Sequence, residues 1–170
     1  MKKIIFGMLF CAWIIPAQAA TIRNMSCDPS WQPGGNTTQK LVDMINSASK
    51  TILVMSYEMS SLPITNALIA AEKRGVDVKV ILDKVNLTAS YSKLPELKAA
   101  GIKVWIDSKH RIFHHKITDV DNFAVEFGSF NYSYSAEHYN AEDAWFCHSH
   151  AAANAIATEF ALMQAESIQE

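Results

Sequence analysis

Residues 51–57, Thr-Ile-Leu-Val-Met-Ser-Tyr, make an almost continuous apolar run of strand length without a single charge. A strand that is apolar at successive positions, instead of at alternate ones, is covered on both faces, so this one belongs at the centre of a sheet. That demand constrains the remainder of the chain, because helices must cover the sheet. The flanking segments supply them. Thr37 or Thr38 can cap a helix whose apolar face is Leu41, Val42, Met44, Ile45 and Ala48. Ser61 can cap a second, with Pro63 in its first turn and Gly75 at its end. Residues 76–82 alternate as a strand, with Asp77 and Lys79 on one side. Residues 91–100 read as a helix ended by Gly101, residues 102–106 and 143–148 as strands, and residues 151–168 as a long closing helix. Before all of these, residues 21–27 read as a short first strand and residues 28–36, with two Pro and two Gly, as a loop. Nothing repeats internally. A length of 170 residues, 49% of them apolar, suits one domain over residues 21–170. Strand-helix-strand units followed by a hairpin predict an α/β fold: a mixed, mostly parallel sheet with helices on both faces.

The chemistry gathers in residues 114–131. His114 and Lys116 stand two apart in a run that reads as a strand, so their side chains leave the same face, while His115, Ile117 and Asp119 leave the other. Asp121-Asn122 reads as a tight hairpin turn and residues 123–127 as the returning strand. The return ends in Gly128-Ser129-Phe130-Asn131, which brings a hydroxyl and an amide back toward the imidazole and the ammonium. One nucleophile with several hydrogen-bond donors suits a phosphoryl group. In this reading His114 attacks phosphorus, and Lys116, Ser129 and Asn131 hold the nonbridging oxygens.

The spacing His114-x-Lys116-x4-Asp121-x6-Gly128-Ser129-x-Asn131 resembles the HKD signature of the phospholipase D superfamily. Residues 55–57, 71–79 and Asn140-Ala141-Glu142 are similar to the small bacterial endonucleases of that superfamily, which carry one motif per chain. The resemblance implies a phospholipase D-like fold and a phosphohistidine intermediate on His114. It places Asp121 in the catalytic motif, although a turn position suits it better to shaping the hairpin. It also implies that Glu142 orients the histidine and sets its tautomer. The displacement needs a general acid opposite the nucleophile, and the chain holds no second HxK pair. The single-motif relatives imply the remedy: a homodimer, in which two chains lend their motifs to a common site about a twofold axis.

No metal and no cofactor is expected. Two-metal nucleases cluster carboxylates, yet Asp119 points away from His114, and Lys116 already supplies positive charge. Cys147-His148-Ser149-His150 offers ligand types at close spacing, as a weaker alternative.

Residues 1–20 read as a secretory signal: Lys2-Lys3, an apolar run over 4–15, then Ala17-x-Ala19 for cleavage. The expected location is therefore periplasmic or secreted, without lasting membrane association. Removing two of the fifteen basic residues leaves thirteen against seventeen acidic ones, a net charge of −4. A nucleic-acid substrate must then be met by a local basic surface, and residues 109–116 are the densest cationic stretch. Cys27 and Cys147 form a candidate disulfide in an oxidising compartment, with two buried thiols as the alternative. The reading that results is a metal-independent phosphodiesterase, a nonspecific endonuclease acting on DNA, with RNA left open as a second substrate. Its competitors are a phospholipase or phosphatidyl transferase on the same fold, and a His-rich periplasmic metal-binding module.

Overall fold

The computed structural model describes residues 25–170. The signal segment expected over residues 1–20 lies outside them. Eight strands form one sheet in the order β1-β7-β6-β5-β2-β3-β4-β8. They are β1 (Ser26–Gln32), β2 (Thr51–Ser56), β3 (Asp77–Asp83), β4 (Lys103–Asp107), β5 (Lys116–Val120), β6 (Ala124–Gly128), β7 (Glu142–His148) and β8 (Ile168–Gln169). The helices are α1 (Thr37–Asn46), α2 (Leu62–Lys73), α3 (Leu94–Ala99), α4 (Tyr134–His138) and α5 (His150–Glu166).

The apolar run lies where its composition demands. β2 sits inside the sheet between β3 and β5, with Ile52 and Val54 facing α1 and α2, and Met55 facing α5. One core layer joins Leu41, Ile45, Leu68 and Leu97 of the first three helices to Val54, Val80 and Val104 of the sheet. On the opposite face Met55, Ile81 and Trp105 pack on Phe160 of α5, and Val125 and Cys147 on Ala152 and Ala153. Helices thus cover both faces of an α/β sheet. The sheet is mixed, but it is not mostly parallel. Only β2-β3 and β3-β4 run parallel, whereas the other five pairings are antiparallel. The two crossover units account for the parallel part; the hairpin and the strands that flank it build the rest.

Several boundaries differ from expectation for local reasons. β1 occupies residues expected to be loop, because an edge strand tolerates Pro29, whose missing N–H costs no ladder bond on the free side. Cys27 therefore pairs in register with Cys147, Cα to Cα 4.1 Å, and the two are joined by a disulfide. Asn36, not Thr37 or Thr38, holds the N-cap position of α1, without a side-chain bond to the helix, and the Thr38 N–H and hydroxyl donate to Glu137. The helix expected from Tyr91 starts only at Leu94, with Pro95 in its first turn. The closing helix stops at Glu166 so that Ile168 and Gln169 can join the β4 edge. α4 was not foreseen; the Ser133 hydroxyl caps it by accepting from Ala136 N–H.

Candidate active site

Topology brings four strand ends together. β2 finishes at Ser56, β5 begins at Lys116 opposite it, β6 finishes at Gly128 and β7 begins at Glu142. Because β5, β6 and β7 alternate in direction, these four termini share one edge of the sheet. This is the carboxyl end of the parallel strands, where open α/β sheets bind ligands.

His114 is not inside a strand, as its spacing to Lys116 had implied. It lies in an extended lead-in, residues 112–115, before β5 starts. The segment is pinned on both sides of the imidazole. Phe113 N–H donates to the Asp83 carboxylate at 2.7 Å, and the His115 carbonyl accepts from Tyr57 N–H at 2.8 Å. Further back, Asp107 accepts from the His110 N–H and lies 2.9 Å from its ring Nδ1. The loop that delivers the histidine is thus fixed by the ends of β2, β3 and β4.

Lys116 is buried, with 5% of its surface exposed, and donates to the His114 carbonyl at 3.0 Å. Its ammonium stands 5.3 Å from the centroid of the Tyr57 ring, which is also 4.9 Å from the His114 ring. Tyr57 was not singled out for a role from the sequence. Its position at the end of the central strand, directly after the residue paired with Lys116, was the available signal. Burial pushes the Lys116 ammonium down to about 8, while Glu142 and Glu58 pull it the other way. Burial, and after it the Lys116 charge, holds the His114 imidazole below its ordinary value, opposed by Asp83 and Glu142. The neutral, nucleophilic form of the ring is favoured near neutral pH.

Ser129 and Glu142 are paired with each other. The Ser129 hydroxyl donates to Glu142 and accepts from Asp143 N–H. Its proton is therefore committed to a carboxylate instead of standing free for a phosphate oxygen. Glu142 also accepts from Asn140 Nδ2 at 3.0 Å. Within the chain it makes no hydrogen bond to His114, contrary to the orienting role expected of it, and acts on the histidine through its charge. The strands can approach this closely because residue 128 is glycine: a Cβ there would collide with the Asp143 carbonyl oxygen. Asn131 is half-buried, and its amide oxygen has no partner. The segment carrying it is anchored by Tyr132, whose hydroxyl donates to Glu126 and bonds Thr118 beneath the site.

Asp121 is not in this cluster. It sits at the far end of β5, where the left-handed backbone of Asp121 and Asn122 (φ 56° and 55°) turns the hairpin. Its carboxylate accepts from Ser49 N–H, Ser49 hydroxyl, Lys50 N–H and Thr51 N–H at 2.8–2.9 Å. Asp121 thus staples the hairpin to the start of the central strand, and the catalytic part suggested for it by the motif is replaced by a structural one. Asp119 faces α5, buried, with one carboxylate oxygen unpaired, and burial lifts its pKa to about 6. The alternative metal ligands are also dispersed: Cys147 is in the disulfide, and His148 and His150 stack against Phe123. The cationic stretch is partly engaged within the chain: Lys109 pairs with Glu166, and the His110 ring lies against the Asp107 carboxylate.

A buried ammonium beside a neutral imidazole at the open edge of such a sheet is an arrangement for phosphoryl chemistry. The family described as cardiolipin synthase, PLD-like domain, matches residues 41–164, which include every residue of this cluster. The chain belongs to this PLD-like family. Phospholipase D from Rickettsia bellii is 42% identical over 111 residues, covering 65% of this chain and 55% of the relative. A mitochondrial cardiolipin hydrolase from Xenopus tropicalis is 30% identical over 104 residues, covering 61% of this chain and 50% of that protein. The chain thus spans about half the length of the curated relatives it matches. Among solved PLD-like structures, the phospholipase D family member Nuc from Salmonella typhimurium superposes with a TM-score of 0.82 at 31% identity, covering 86% of this chain and 99% of that one. NucT from Helicobacter pylori shares the fold, with a TM-score of 0.79 at 19% identity. Membership places the chain in the PLD superfamily.

Proposed function

We propose that the chain is an exported, metal-independent endonuclease that cleaves DNA, and RNA as well, through a phosphohistidine at a site shared by two copies. The observation that carries this reading is the pairing of His114 with the buried Lys116 around one tyrosine ring. A ring nitrogen of His114 would attack phosphorus as the departing alkoxide takes a proton from the His114 of a second copy. Water would then attack phosphorus, giving a proton to the second histidine as the bond from phosphorus to the first breaks. Lys116 and the Asn131 amide would hold the nonbridging oxygens throughout. The carboxylates nearest His114 already have partners, Asp83 accepting from Phe113 and Val85 N–H and Glu142 from Ser129 and Asn140. Among the described residues no three His, Cys, Asp or Glu side chains gather in a group that could hold a metal ion. The near-complete overlap with Nuc supports nucleic acid as the substrate. The disulfide supports export, because such bonds persist in oxidising compartments.

A lipid phosphodiester is the second reading, favoured by the phospholipase D and cardiolipin hydrolase relatives. The decisive experiment offers purified protein plasmid DNA and phosphatidylcholine, each with and without EDTA. Nicking of plasmid that survives EDTA is the expected result. Hydrolysis of the lipid alone would overturn the nuclease reading, and chelator-sensitive activity restored by magnesium or zinc would overturn the metal independence.

A further inference from the structure

The loops that leave the site lead to a cluster of exposed rings. From Asn131 the chain passes through Tyr132 into α4, and from the Lys116 partner Tyr57 it passes through Met59 toward α2. The two loops are clamped together, with Ser60 N–H and Ser61 N–H both donating to the Tyr132 carbonyl. Beyond that clamp Tyr134 and His138, one helical turn apart, lie 4.1 Å apart between ring centroids with their planes tilted by 46°, and Tyr139 closes the group edge-on at 5.7 Å from Tyr134. Tyr134 and Tyr139 are 63% and 72% exposed. Beside them opens a cavity of about 220 Å3, walled by Tyr134 and His138 and edged by the hydroxyls of Thr38, Ser60, Ser61 and Ser133.

We propose that this ring cluster and its cavity form a base-stacking subsite for single-stranded nucleic acid, one or two nucleotides from the bond that is cut. The proposal rests on the nuclease reading and names the strand form that the site takes. Tyr134 follows Asn131 by three positions across a turn closed by Ser133 N–H donating to the Asn131 carbonyl, so the two lie within about 10 Å of each other, which suits a neighbouring nucleotide of a bound strand. Aromatic faces accept any unpaired base without demanding one sequence. Rings standing out from the surface can stack only on bases that are not already paired within a duplex. A lipid surface fits the patch less well. Thr38, Ser60, Ser61, Ser133 and Glu137 set polar side chains in the same wall as the rings, whereas interfacial surfaces present a continuous apolar face. A second copy fits poorly too, because three rings offer far less than the roughly 800 Å2 per partner of a stable interface.

The test compares a single-stranded oligothymidylate with an abasic strand of equal length, which has the same phosphates and nothing to stack. The wild-type protein, Tyr134→Ala/Tyr139→Ala and Tyr134→Phe/Tyr139→Phe are assayed on both, with sedimentation of each variant. The wild type should favour the base-bearing strand by about tenfold in kcat/KM, through KM, and the alanine variant should lose that preference. The phenylalanine variant should keep it. Equal cleavage of both strands by the wild type, or a preference that survives in the alanine variant, would overturn the subsite while leaving the nuclease reading intact. An alanine variant that sediments as a smaller species and loses both activities would assign the rings to contact between copies. A wild type that cuts neither strand but hydrolyses phosphatidylcholine would remove the subsite together with the nuclease reading.

Discussion

Lys116 lies with its ammonium 5.3 Å from the centre of the Tyr57 ring, so the buried cation faces a π-surface where an acidic partner would ordinarily stand. A carboxylate there would neutralise the charge meant for phosphate. The ring supports it and leaves its field available.

Tyr57 is therefore predicted to act through its ring and not its hydroxyl. Tyr57→Phe should keep most activity. Tyr57→Ala should lower kcat by about ten- to a hundredfold, because both His114 and Lys116 lose a wall that fixes them. Steady-state kinetics on the two variants, with circular dichroism to show that both are folded, checks this.

The rate should be bell-shaped in pH. His114 must shed its proton to attack, and its pKa is held below the ordinary histidine value, so the acid limb should lie below about 6.5. Lys116 titrates near 8, so phosphate binding should weaken above that pH. One histidine must be neutral and its partner protonated, so loss of the second proton also lowers the rate as pH rises, and the apparent values belong to the pair. A profile of kcat/KM that rises steadily to pH 10 would contradict both assignments.

Removing the Asp121 carboxylate should harm stability far more than chemistry. Burial alone would raise its pKa, but the hydrogen bonds from Thr51, Ser49 and Lys50 hold it below the usual carboxylate value. The stability they contribute is present above the unfolded pKa of about 4 and is lost as pH falls through the lower folded value. Asp121→Ala should cost about 2–4 kcal/mol at pH 7, seen in urea unfolding, while kcat of the folded protein at low temperature stays within a few-fold of wild type.

Glu126 makes the opposite case. It is fully buried, and burial lifts its carboxyl to about 8 in spite of the hydrogen bond from Tyr132. A raised acid is neutral in the fold, so its stability is intact below the unfolded pKa of about 4.5 and is eroded as pH rises toward 8. Glu126→Gln keeps the acceptor for Tyr132 without the ionisation. Its unfolding free energy, read from urea titrations, should match wild type near pH 4 and exceed it at pH 8 by a difference on the order of 2 kcal/mol.

His114→Ala should abolish turnover, and mixtures should reveal the proposed sharing. Co-refolded wild type and His114→Ala should show activity following the square of the wild-type fraction, since only pairs with two histidines complete both steps. A linear dependence would mean that each chain holds a whole site.

Spacing made much of this legible. The apolar 51–57 run announced a central strand, and the period of two placed His114 and Lys116 together even though His114 precedes β5. What stayed hidden depends on distant partners. Nothing local to Ser129 says that β7 delivers Glu142 to its hydroxyl, and nothing near Glu137 foretells the donors on Thr38. Pro29 argued for loop because its permission to lie in a strand comes from an edge position that only the assembled sheet defines.

The two outermost strands bear on how a second copy can approach. One edge carries a proline at position 29, and the other offers only the two residues of β8. Neither gives a neighbour a long row of backbone donors and acceptors to extend. Among the described residues, then, continuing the ladder is the hard way for two chains to associate, and meeting through loops and helix surfaces is the easier one. The end of the sheet that carries Lys116 is made of such surfaces, so blunted edges would direct a symmetric partner toward the chemistry and away from open-ended filament growth.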